Sequence, residues 1–144
     1  MDDFLYNFSA NLLLSPGLAL HDFNALTPEK QAELVTLMQT DTYQGITSAA
    51  ILKLVTLMKD HSHLNRAMIM PVLNTLGKYP GLHPLIHKAH GLDITMDIFQ
   101  RLFLIAAKPS KCFTEERGYT LTNSLQQVLT QCSMLLTSLL QHTP

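Results

Sequence analysis

The sequence predicts an all-α fold, a compact bundle of about six to seven helices stacked as hairpins with no β-sheet, in one domain over residues 1–144. Three observations carry this. Apolar residues recur at steps of three and four through most of the chain, while no run of β-branched residues alternates at period two. Prolines, glycines and capping residues fall mainly between those stretches, with Pro71 the clear exception. An apolar share of 47% in a chain of 144 residues is enough to bury a core without a disulfide or metal staple.

The first helix is expected over about Asp3 to Leu14, with Phe4, Leu5, Phe8 and Leu12 on one face and acids at the positive end of its dipole. Ser15-Pro16-Gly17 stops it. A linker, Leu18 to Leu26, then leads to the best-signalled start in the chain: Thr27 as N-cap, Pro28 at the first helical position and Glu29 in the first turn. That helix should reach about Gln39. In the third, about Thr47 to Asp60, Ile51, Leu52, Leu54, Val55, Leu57 and Met58 wrap most of the circumference, which marks it as the central, most buried helix. A fourth, about Ser62 to Lys78, contains Pro71, which lacks an amide donor and should kink or split it. After the Tyr79-Pro80-Gly81 turn, a short helix over about Pro84 to Ala89 should stop at Gly91. Two more follow, about Thr95 to Ala107 and about Thr120 to Gln141. Leu34-Val35-Thr36-Leu37-Met38 recurs as Leu54-Val55-Thr56-Leu57-Met58, with a fainter Leu73-Asn74-Thr75-Leu76 beyond it. A period near twenty residues is one helix plus one turn, which supports hairpin stacking.

Composition limits the function classes. Ten Lys and Arg against eleven Asp and Glu give a net charge of −1, so no overall cationic field collects phosphates and nucleic acid is not expected as a partner. Charge is uneven, −4 over residues 1–60 and +3 over 61–144, with a weakly basic group at Lys78, Lys88, Arg101, Lys108 and Lys111. The acidic start Met1-Asp2-Asp3 and the broken apolar run after it do not read as a secretory signal, and no window is long and apolar enough for a membrane span. Cys112 and Cys132 read as reduced thiols. The expected location is therefore the cytoplasm, or a destination reached by a signal-less export route.

Charged residues make up only 15% of the chain, well under the roughly 25% usual for soluble domains. The deficit concentrates at the carboxyl-terminal helix, where Gly118 to Pro144 holds no Asp, Glu, Lys or Arg. Its apolar stripe, Leu121, Leu125, Val128, Leu129, Cys132, Leu135, Leu136, Leu139 and Leu140, belongs in a core. The other face carries Asn123, Ser124, Gln126, Gln127, Thr130, Gln131, Ser133, Thr137 and Ser138. Neutral polar groups cost less to desolvate than charges, and charges are depleted at the centres of protein contacts, so this face is a candidate interface with another protein or a second copy. Met68 and Met70 beside Pro71 form a second candidate. A proline-opened helix lined by flexible thioethers can wall a groove for an amphipathic partner helix.

Seven histidines invite a chemical reading. His83, His87 and His90 stand at i, i+4 and i+7, a spacing that stacks imidazoles on one helix face and suits a transition metal, with His61 or His63 as further ligands. His87-Lys88-Ala89-His90-Gly91-Leu92, with the helix after it, resembles the proximal-histidine region of globins over about twenty residues. That resemblance implies a haem with His87 as its ligand. His21-Asp22 is a dyad of the kind found in metal phosphohydrolases, but no histidine precedes it. Cys112 beside Lys111 has no neighbouring base to activate it. There is no glycine-rich phosphate loop and no nucleophile elbow, and no cofactor is expected. The leading expectation is a non-enzymatic interaction module of adaptor, secretion-chaperone-like or regulatory kind. The alternative is a helical metal- or haem-binding domain centred on His83, His87 and His90.

Overall fold

A computed structural model describes the backbone of residues 1–60, 63–107 and 115–141, and the side chains of these except 60, 63–65, 105–107 and 115–124. Among the described residues the chain forms eight α-helices and no strand: α1 (Asp2–Leu14), α2 (Pro16–Ala25), α3 (Pro28–Met38), α4 (Gln44–Asp60), α5 (His63–Gly77), α6 (His83–Lys88), α7 (Gly91–Ala107) and α8 (Glu115–Gln141). One-turn 3-10 helices at Asp41–Tyr43 and Pro80–Leu82 lead into α4 and α6. The predicted all-α bundle is the observed one. No helix among the described residues is long and apolar enough to cross a membrane.

Neighbouring helices pair as hairpins, α1 with α2, α4 with α5 and α7 with α8. α4 touches α1, α5, α6 and α7, and Ala50, Ile51, Leu54, Val55, Leu57 and Met58 bury against them. It is central, as expected, but not buried all round. Leu52 is 54% exposed on its outer side.

The expected linker after Pro16 is a helix, which corrects the sequence reading. Pro16 takes the first helical position, where its missing N–H has no partner to lose, and Ala19, Leu20 and Phe23 then bury along one face. One proline both ends α1 and begins α2. Asn24 Nδ2 donates to the Met68 carbonyl at 3.3 Å, and Gln31 Nε2 to that of Phe23 at 3.1 Å, so polar side chains tie α2 to α5 and α3. Thr27 caps α3 as predicted, its Oγ1 accepting from the Lys30 amide at 3.2 Å. Inside the fold, Thr47 Oγ1 donates to the Met38 carbonyl at 2.9 Å and joins α4 to the end of α3. The Asp2 carboxylate near Tyr43 pushes the phenol above its ordinary value.

Pro71 does not split its helix. α5 runs through it, with Ile69, Met70, Val72 and Leu73 all buried, and the Thr75 hydroxyl donates back to the Pro71 carbonyl at 3.0 Å. An interior proline costs about 3 kcal/mol in helix terms, and burying several large aliphatic side chains at roughly 1.5–3 kcal/mol each outweighs it. Burial decides the outcome.

Gly91 is likewise reassigned. α6 ends at Lys88, the left-handed residue after it is His90 (φ 62°), and Gly91 opens α7. A Cβ at Gly91 would lie 2.5 Å from Ile86 Cγ2 and 3.0 Å from the Ile86 carbonyl oxygen. The glycine therefore serves close approach between helices, and no turn.

Candidate functional site

At 27 residues α8 is about 40 Å long and packs most extensively on α5 and α7. Val128, Cys132, Leu135 and Leu139, at steps of four, three and four, form its fully buried stripe. Leu135 lies where α8 meets the end of α5, and a Cβ on Gly77 would come within 2.8 Å of its Cδ1. Nearby, Arg66 donates from Nε to the Met58 carbonyl at 2.9 Å and from Nη2 to that of Lys59 at 3.4 Å, capping α4 beside Cys132. Burial pushes the Cys132 thiol up to about 11, with the Arg66 charge drawing it slightly down. The guanidinium is itself lowered, chiefly by its own burial.

This anchoring turns the neutral face outward. Gln126, Gln127, Thr130, Ser133 and Thr137 are exposed and Gln131 and Ser138 partly so, which places the whole predicted face from Gln126 onward on one surface. Among the described residues no neighbouring element covers its exposed members. Met134 and Leu140, both about half exposed, lie among these residues. A shallow concavity of about 390 Å³ is lined by Gln126, Gln127, Thr130, Gln131 and Met134. Two of the hydroxyls are already spent, since Thr130 Oγ1 donates to the Gln126 carbonyl and Thr137 Oγ1 to that of Ser133, each at 2.8 Å. Covering those threonines orphans no donor, so their desolvation is cheap. Gln131 Oε1 is buried with no hydrogen-bond partner among the described residues.

Met68, Met70 and Pro71, the expected walls of a groove, differ in exposure. Met70 has no exposed surface and Pro71 is half-buried in a continuous helix, which leaves Met68 as the one exposed residue of the three.

The three histidines do not converge. His83 is buried, its Nε2 at 2.5 Å from the Gly77 carbonyl oxygen, and it serves the α5–α6 junction. His87 stands edge-to-face against His83 with ring centroids 6.4 Å apart, and its Nε2, the nitrogen an iron would need, is covered by protein. His90 projects into solvent from its left-handed backbone, 3.8 Å from Asp93. The proline at the second position of α6 and the turn at Ala89 break the regular spacing that would have aligned the rings. No group of three or more His, Cys, Asp or Glu among the described residues is placed to hold one metal ion. His21 and Asp22 are an exposed surface pair at 3.7 Å. Cys112, Lys108, Lys111, His61 and the side chain of His63 lie outside the described residues.

One feature that residue spacing did not reveal is a second concavity, about 230 Å³, between α4 and α6. Ser48, Ala49, Leu52, Leu85, Lys88 and Ala89 line it. Its sequence signal is the uncharged row Gly45, Ser48, Ala49, Leu52 and Thr56 on one side of α4, which the leucine-rich pattern of the opposite side obscures. The chain matches no protein-family model, no curated protein and no solved structure.

Proposed function

We propose that this chain is a non-catalytic interaction module, of adaptor, secretion-chaperone-like or regulatory kind, that buries the neutral face of α8 against another polypeptide, a second copy being the occupant that suits it best. The observation that carries the reading is the exposure of a charge-free helix face, with Met134 and Leu140 open to solvent inside it. A solvated helix ordinarily carries charge to hold other surfaces off. Gln126, Thr130, Ser133, Thr137 and Leu140 follow one another at steps of four and three, the row that packs into the grooves of a second helix. Across a two-fold axis every surface meets itself, and a face without charge does so with no like-charge repulsion.

Site-specific crosslinking tests this. In a Cys112→Ser background, Ser133→Cys should give a covalent dimer with a short bis-maleimide, while Thr36→Cys, exposed on α3, should not. Equal yields from both positions, or none from Ser133→Cys, would reject the surface.

A further inference from the structure

We propose that the groove between α4 and α6 is a second docking site, which receives an acidic amphipathic helix from another protein. This inference is independent of the α8 reading. Its lining is mainly apolar: Ala49 and Ala89 contribute only methyl groups, and Leu52 and Leu85 the larger aliphatic side chains. Leu52 is the informative residue, because a leucine left 54% exposed on the central helix leaves apolar area uncovered that one or two inserted aliphatic side chains would bury.

Charge identifies the occupant. The cations near it are Lys88 on α6, which lines it, and Lys53 and Lys59 on α4, whose one acid is Asp60 at its last position; no other Asp or Glu occurs from Gln44 to Leu92. Lys88 lines the groove, and among the described residues neither it nor Lys53 forms an ion pair. A helix with aliphatic residues on one side and carboxylates flanking them satisfies both features at once. At about 230 Å³ and partly open to solvent, the groove is smaller than the roughly 300–1,000 Å³ of small-molecule sites, so a free amphiphile would stay largely in water. A second copy inserting one of its own helices here would make a head-to-tail contact, which has to close into a ring or grow into an open filament.

The test uses two synthetic amphipathic helices, one with leucines along a face and flanking glutamates, the other with lysines in place of those glutamates, titrated into the ¹⁵N-labelled chain. The acidic peptide should shift amides of Ser48, Ala49, Leu52, Leu85, Lys88 and Ala89, and bind roughly tenfold more tightly than its basic twin. Lys88→Glu and Leu52→Glu, both on exposed side chains, should each weaken it by a similar factor while leaving the rest of the spectrum in place. No binding, equal binding of the two peptides, or shifts centred elsewhere would overturn the proposal. So would decanoate filling the groove while the acidic peptide leaves it untouched.

Discussion

His90 and Gly91 divide two tasks that one glycine usually performs. His90 carries the left-handed turn, which costs a β-carbon-bearing residue about 1–2 kcal/mol, and Gly91 carries the close approach to Ile86. His90→Gly should therefore raise stability by about 0.5–1 kcal/mol, since its exposed pairing with Asp93 contributes little. Gly91→Ala should lower it. The helical preference of alanine is worth up to about 1 kcal/mol, but a methyl pressed against a buried, β-branched Ile86 and its carbonyl costs about 1–3 kcal/mol. Urea unfolding of both variants reads the two signs directly. Cys132 makes a chemical prediction at the same scale. With its thiol raised from 9.0 to about 11, the thiolate fraction near neutrality falls about a hundredfold, so in a Cys112→Ser background alkylation of the native chain should be slower than that of the denatured chain by at least that factor. The fold favours the protonated thiol. Its contribution to stability is whole below pH 9 and is lost as pH rises towards 11, so the unfolding midpoint should fall across that window.

At the scale of elements, the repeated motif shows how local sequence and packing agree. Leu34, Val35 and Met38 are buried on α3, Leu54, Val55 and Met58 are buried on α4, and Leu73 and Leu76 on α5. The threonine inside each copy, Thr36, Thr56 and Thr75, donates to the carbonyl four residues back. Thr47 differs, because its buried hydroxyl reaches a neighbouring helix and satisfies the Met38 carbonyl there. Thr47→Val keeps the shape and orphans that acceptor, so it should cost about 1–3 kcal/mol, whereas Thr36→Val, on an exposed face, should cost less than about 0.5 kcal/mol. Equilibrium denaturation separates them. These elements also show what was legible in advance. Periodicity and the Thr27-Pro28 start located every long helix, because apolar spacing and capping act within a few residues of themselves. Pro16 and Gly91 were misassigned, and the choice at Pro71 between a kink and a split stayed open, because their roles depend on what packs against them. The α8 face was legible because absence of charge is a property of sequence alone. The α4–α6 groove was not, because Leu52 reads as core until the packing shows which side of α4 is left open.

For the whole molecule, the cores of α1 to α8 account for most large apolar residues, and those left outside are distributed unevenly. Leu13, Leu14 and Leu18 are exposed where α1 meets α2 and Phe103 and Leu104 on α7, while Met134 and Leu140 lie on the neutral face of α8 and Leu52 in the groove lined by Lys88. The α8 face and the groove should respond differently to salt. Association through a face without charge has little to screen, so raising ionic strength from about 0.05 to 0.5 M should leave the dimer intact, while acidic peptide binding at Lys88 should weaken severalfold. Sedimentation velocity and peptide titration at the two salt concentrations check this together. The central claim, that α8 is the interface, is tested most directly by native mass spectrometry of the untagged chain and of a Gln127→Glu/Thr130→Glu variant. Both substitutions sit on exposed side chains, so the fold should survive and circular dichroism should remain that of the parent. The account predicts a dimer for the parent and a monomer for the variant, because closing the face would bring four carboxylates into one desolvated contact. A parent that is monomeric at every concentration, or a variant that assembles as the parent does, would contradict it.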